Sequence, residues 1–251
     1  MKDSKEYKEK KNFYDKVLTV YGRNAVLEAL ENGSLDIYKL HLSSSNKPAK
    51  VLEEIKKLAD VRDIPVQYHD KTSLSRISKN SRQDQGVALD IAMPYSGDID
   101  QFISSNERFR VLALDRVTNP QNLGMIIRSS AAGNIDAILL PQKGTAQISP
   151  LVIKASAGTL FKIPILKSKN LPNTLKKLQE HNAKVYTLSL NAKKDYRDLE
   201  YADKSVFVLG NESDGVSKEI ESLSDESIII PMKRGVESLN VAVTAALLAF
   251  V

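Results

Sequence analysis

Two polar loops near the end of the chain carry the residue types from which a small-ligand site can be built. One runs from Asn211 to Gly215 and the other from Lys233 to Asn240. Each follows a short apolar run, Val206-Phe207-Val208-Leu209 or Ile228-Ile229-Ile230, that stops at a backbone breaker, Gly210 or Pro231. Such β-branched runs read as buried parallel strands. In open α/β sheets ligands sit at the carboxyl ends of strands, where glycines let backbone approach a ligand closely. The two loops therefore predict a pocket. What is missing bounds its chemistry. The chain has no cysteine, which excludes disulfides, zinc ribbons and thiol nucleophiles. His41, His69 and His181 show no metal-ligand spacing, and no metal is expected. The glycine patterns of dinucleotide and P-loop sites do not occur.

A length of 251 residues with 42% hydrophobic content suits one large domain or two small ones. No apolar run is long enough to span a bilayer, and the mixed-charge start lacks a signal-peptide core. A soluble, cytoplasmic protein with no membrane partner is expected. The net charge of +5 is mildly basic, and its distribution says more than its size. Between Asp136 and Glu180 there is no acidic residue, while Lys143, Lys154, Lys162, Lys167, Lys169, Lys176 and Lys177 fall inside. A second acid-free patch carries Lys71, Arg76, Lys79 and Arg82. Any one of these is ordinarily a solvated surface residue; runs of this length point to a phosphate-facing surface.

The elements that must position the loops can be read from periodicity. Residues 1–18 read as a charged tail. Residues 19–95 alternate strands and helices as a small α/β module, with Asn24 as the N-cap of a helix over Ala25 to Glu31, strands at Ile37 to Leu42, Pro65 to Tyr68 and Gly86 to Ala92, and a helix over Pro48 to Ala59. Residues 96–109 are polar and punctuated by Ser and Gly, and read as a linker. Residues 110–251 open with the strand Val111 to Leu114 and a helix from about Leu123. Further strands at Ala137 to Leu140, Lys162 to Leu166, Lys184 to Leu188, Ser205 to Leu209 and Ser227 to Ile230 predict a mostly parallel sheet with helices on both faces. The last helix, from Val241, is apolar on nearly every side, and no polar cap closes it at Val251, which leaves open a continuation of the natural chain.

The loops also carry a specific resemblance. LGNESDG, then IIIPM, then SLNVAV is similar to motifs two and three of the SpoU/TrmH family, RNA 2′-O-ribose methyltransferases of the SPOUT superfamily. A block upstream, Asn119-Pro120-Gln121-Asn122-Leu123-Gly124 ending at Arg128, resembles the family's first motif. The resemblance is tight over residues 110–251 and looser over the N-terminal module, where YGRNAVLEAL and QGVALDIA resemble the family's RNA-binding appendage. It implies an α/β fold with a C-terminal SPOUT-type sheet ending in a trefoil knot, which periodicity does not reveal. It implies S-adenosylmethionine as cofactor, held by Leu209, Gly210, Ile230, Met232 and Leu239, and a homodimer with sites near the interface. It implies catalysis by Arg128 with Asn122, Glu212, Ser238 and Asn240.

Arg128 by resemblance activates the ribose hydroxyl. Its always-charged guanidinium suits a second role better, clamping phosphate and stabilising developing alkoxide. Asn122 could orient that arginine, Glu212 could pair with it or anchor the cofactor loop, and Ser238 and Asn240 could reach the same site. The plain alternatives are a helix cap for Asn122, a solvated Glu212, and capping of the last helix by Ser238 or Asn240. The N-terminal module points to 23S ribosomal RNA at a guanosine. A transfer-RNA guanosine enzyme and a non-catalytic ribosome-assembly factor are the alternatives.

Overall fold

The computed structural model of the chain describes residues 17–33, 35–92, 98–211 and 213–251. The chain divides into two compact units, Met1–Pro94 and Tyr95–Val251. The charged tail expected over residues 1–18 lies outside the described residues up to position 16. From Val17 the chain is already in strand.

The first unit is a four-stranded mixed sheet in the order β1-β4-β2-β3. Its strands are β1 (Val17–Tyr21), β2 (Ile37–Ser43), β3 (Val66–His69) and β4 (Val87–Ala92). β4 lies antiparallel between β1 and β2, and β2 pairs in parallel with β3. Helices α1 (Arg23–Glu31), α2 (Lys50–Val61) and α3 (Lys71–Ser78) join them. α2 buries Leu52, Ile55 and Ala59 at the spacing of one helical face. The expected cap of α1 is corrected: Gly22 holds the N-cap position without a side-chain bond, and Asn24 lies inside the helix. The basic patch lies on α3 and just after it, with Lys71, Arg76, Lys79 and Arg82 all exposed.

The second unit is a seven-stranded sheet in the order β7-β6-β5-β10-β8-β11-β9. The strands are β5 (Phe109–Leu114), β6 (Ala137–Pro141), β7 (Ile165–Ser168), β8 (Lys184–Leu188), β9 (Lys194–Asp195), β10 (Lys204–Leu209) and β11 (Glu226–Ile229). Every pairing among them is parallel, so all strand exits share one edge. One sheet face packs Val111, Ala113, Leu139, Val206 and Val208 against α4 (Ile99–Ser105), α7 (Leu171–Glu180) and α8 (Lys218–Glu221) through Ile103, Leu171, Leu175, Leu178 and Ile220. Helices α5 (Pro120–Ala132), α6 (Pro150–Ala155) and α9 (Val241–Ala249) form a second cluster, with α5 against both others. Gly124 is required at the first of these contacts, since a Cβ there would stand 2.4 Å from that of Ala155.

Two expectations fail here. The stretch that reads as a linker contains α4, whose Ile103 is buried in the second unit's core; its few apolar residues are too sparse to show a helical period. The seventh strand starts at Ile165, because a 3₁₀ turn occupies Thr159–Lys162.

Candidate functional site

β5 ends at Leu114, and Asp115 to Asn119 turn the chain into α5. Asn119, not Asn122, caps this helix, its Oδ1 accepting from the Gln121 amide at 2.8 Å. Pro120 at the first helical position suits the missing donor and fixed φ of proline. Asn122 thus sits within the first turn, 5% exposed. Its Oδ1 accepts from the Nδ2 of Asn240 at 3.2 Å, while the Oδ1 of Asn240 caps α9 by accepting from the Ala242 amide at 2.8 Å. One asparagine therefore serves both the structural and the site-forming role. Ser238 makes no cap.

The strand exits enclose a cleft of about 510 Å³, a size that suits a nucleoside-scale ligand. Leu209, Gly210, Ile230, Met232 and Leu239 all line it, as does Ser238. Leu188, the last residue of β8, and Ser189 and Leu190 after it also line it. Gly210 has a specific reason to be glycine: a Cβ would stand 2.0 Å from the Gly215 carbonyl carbon and 2.2 Å from the Val216 nitrogen. The loop from Asn211 to Gly215 folds back on itself through reciprocal 2.9 Å backbone bonds between those two residues. That folded loop is one wall.

Arg128 stands on the exposed side of α5, outside the cleft lining. It lies three residues from Met125, which is 41% exposed, so the two share a helix face. The structure thus joins Asn122 to Asn240 and Ser238 to the five apolar and glycine positions, and leaves Arg128 apart. Glu212 lies outside the described residues. The sequence reasoning missed Asp214, Glu221 and Glu237, which place carboxylates around the cleft. Their signal was only position in the polar loops and the short helix after them. Glu226, at the opposite end of β11, is held below the usual carboxylate range by Lys184, which bonds it at 2.8 Å, and by Lys194. Among the described residues no cluster of His, Asp and Glu could hold a metal, and no helix is long and apolar enough to cross a membrane.

A parallel α/β sheet with a nucleoside-sized cleft at its carboxyl edge, preceded by a separate small α/β unit, defines the class. Comparison with known proteins places it further. Residues 110–250 match the SpoU rRNA Methylase family, and residues 19–96 match the family described as RNA 2′-O ribose methyltransferase substrate binding. A Staphylococcus saprophyticus protein named "Putative TrmH family tRNA/rRNA methyltransferase" is 31% identical over 237 residues, covering 93% of this chain and 94% of its own. Among solved structures, the SpoU methyltransferase AviRb of Streptomyces viridochromogenes, in complex with AdoMet, superposes with a TM-score of 0.66 at 21% identity, over 98% of this chain and 91% of its own. An AdoMet-bound rRNA methyltransferase of Sinorhizobium meliloti gives 0.63 at 23%, over 98% and 88%. The chain belongs to the SpoU family of RNA methyltransferases.

Proposed function

We propose that the chain transfers a methyl group from S-adenosylmethionine to a ribose 2′-hydroxyl of structured RNA, with a guanosine of 23S ribosomal RNA, in the cytoplasm, as the target. The observation that carries this reading is the convergence of Leu209, Gly210, Ile230, Met232 and Leu239 on one cleft. Apolar side chains at and beyond the exits of β10 and β11 suit an adenosine, and the backbone at Gly210 and Met232 would supply polar partners. Glu221 and Glu237 favour the positive charge of a sulfonium. When bound, that group supplies an electrophilic methyl. The chain's own residues would hold the ribose hydroxyl in line and stabilise its charge as its proton passes to solvent water. Arg128 takes that role, clamping phosphate and developing alkoxide with its planar donor fork. The bond between Asn122 and Asn240 ties the first turn of α5 to the loop that borders the cleft.

Arg128 reaches reacting atoms most simply in a homodimer. α5, α6 and α9 present Met125, Leu151 and Val243, each 41–49% exposed, and Arg128 shares the face of Met125. Covering exposed apolar side chains of this kind is an ordinary reason for association. Light scattering on the purified chain should give twice the monomer mass; a monomer at micromolar concentration contradicts the dimer. The trefoil knot of the last strands and helix belongs to the same proposal.

The deciding experiment is tritiated methyl transfer to ribosomal and transfer RNA, followed by mapping of alkali-resistant ribose positions. Arg128→Ala should retain cofactor affinity and lose roughly 10²–10³ in rate, the scale for one preorganised charge stabiliser. Methylation of a base overturns the ribose assignment. Transfer RNA as the sole acceptor overturns the ribosomal one. No transfer to either RNA favours an assembly factor.

A further inference from the structure

Arg116 stands at the exit of β5 with φ +58, the left-handed region that ordinary side chains avoid and that glycine or asparagine fills at less cost. Its side chain shows what holds it there. Nη2 donates to the Gly215 carbonyl at 3.1 Å, and Nη1 lies 3.8 Å from the exposed Asp214 carboxylate. Its own carbonyl accepts from the Nδ2 of Asn211 at 3.2 Å. Arg116 thus touches both ends of the folded loop that walls the cleft. Its neighbour Asp115, 7% exposed, holds the next stretch by accepting from the Ser217 amide at 2.6 Å. The Nε of Arg116 is buried without a hydrogen bond but pairs with Asp115 Oδ2 at 3.6 Å, so this carboxylate helps hold the guanidinium beside the loop.

We propose that Arg116 is a positioning residue: it straps the loop from Asn211 to Gly215 against the exit of β5 and so keeps the cleft wall formed before any ligand arrives. Gly210 makes this matter, because its Cα packs against the Gly215 backbone so closely that no side chain fits between them. The bond to the Gly215 carbonyl carries more than the pair with Asp214, which is screened at the surface. A preformed wall lowers the ordering cost of binding. Arg116 lies outside the cleft lining and acts on a ligand only through the loop.

Two variants test the strap in the full-length chain. Arg116→Gly suits the left-handed backbone, and Arg116→Asn tolerates it while being too short to span to Gly215. In the unliganded protein the Asn211 and Gly215 amides should exchange roughly tenfold faster in both, the scale of losing one hydrogen bond from a charged donor. The Ser189 amide, which donates to the Ile228 carbonyl at 3.0 Å through a bond involving neither Arg116 nor Asp115, should change little and serves as the internal control. By calorimetry the S-adenosylmethionine dissociation constant should rise roughly tenfold, while the melting temperature of Arg116→Gly stays level or rises as backbone strain is released. A merely structural residue would lower affinity and melting temperature together. Only the affinity measurement rests on the cofactor reading. If the unaltered chain binds no S-adenosylmethionine, that reading falls and amide exchange alone decides. Unchanged exchange at Asn211 and Gly215 in both variants overturns the strap.

Discussion

The two sheets handle buried polar groups in opposite ways. In the first unit a polar row crosses all four strands: Thr19 Oγ1 donates to Asp90 Oδ1 at 2.6 Å, Asp90 Oδ2 meets His41 Nε2 at 3.1 Å, and His41 Nδ1 meets His69 Nε2 at 2.9 Å. In the second unit the central strands β5, β6 and β10 contribute fully buried Val111, Leu112, Ile138, Leu139, Phe207 and Val208. The polar groups that border its cleft gather at the strand exits, at Asp115, Asn122, Asn211 and Asn240, while within the sheet the buried Thr187 of β8 meets Ser227 of β11 at 3.2 Å. Most buried polar groups find partners wherever they sit, with Arg116 Nε and Ser130 Oγ the exceptions among the described side chains. Inside a sheet they satisfy one another and fix strand order; at an edge they can hold loops and still leave room for a ligand. Polar truncations in the first unit should therefore cost stability and spare the cleft, and changes at the second unit's edge should do the reverse.

The largest effect expected from that contrast is at Gly210. Gly210→Val forces the Gly215 backbone away, and overpacking of this kind should weaken S-adenosylmethionine binding roughly tenfold to a hundredfold. Calorimetry on a folded variant checks it. Affinity equal to that of the unaltered chain removes Gly210 from the site. Next in size is Asp90→Ala, which strips the partner from His41 Nε2 and from Thr19 Oγ1 in the first unit. It should cost about 2–3 kcal/mol in that unit, read by urea titration, with cofactor affinity unchanged. A loss of affinity instead would erase the division of labour between the two sheets.

How much of this was legible in the sequence depended on range. The cleft loops were legible because each buried strand stops at a residue with its own physical signature, Gly210 or Pro231, and the motifs fix the residues beyond that stop. β1 was not, since VLTVY adjoins a charged tail and gains its meaning only from β4, its antiparallel partner far along the chain. Strand order was equally hidden: β10 inserts between β5 and β8 because of pairings that no local period encodes. Asn122 and Asn240 could be named from motifs, but their mutual bond is a long-range fact. Arg128 was named as catalytic, while its place on an exposed helix face came only from the fold. The left-handed turn at Arg116 leaves no mark in the sequence at all, because arginine does not advertise that conformation.

The smallest expected effect is a pH dependence confined to the first unit. Asp90 has only lone pairs to offer, so His41 Nε2 must carry a hydrogen; in the neutral ring Nδ1 then accepts, and His69 Nε2 is the donor. His69 is held below its ordinary pKa of 6.5 by burial first, then by His41 and Lys39, with Asp70 opposing. A histidine lowered in the fold binds its proton less readily there than in the unfolded chain. Its contribution is therefore present above about pH 6.5 and is lost as pH falls below that value. Asp90 adds in the same direction at lower pH. Burial raises its pKa, but bonds from His41 and Thr19 and the charge of Lys39 outweigh it and leave the net value below 3.8. That contribution is present above 3.8 and disappears as pH falls through the folded value. Amide exchange at Leu40 and Leu89, corrected for intrinsic rate, should speed up between pH 7 and 5.5, while Val111 and Phe207 in the second unit stay protected. His69→Gln keeps a donor for His41 Nδ1 but cannot titrate, so the same pH step should change Leu40 and Leu89 less. If the acid response is as large in His69→Gln, His69 does not carry it, and the pH arm of the contrast between the sheets falls.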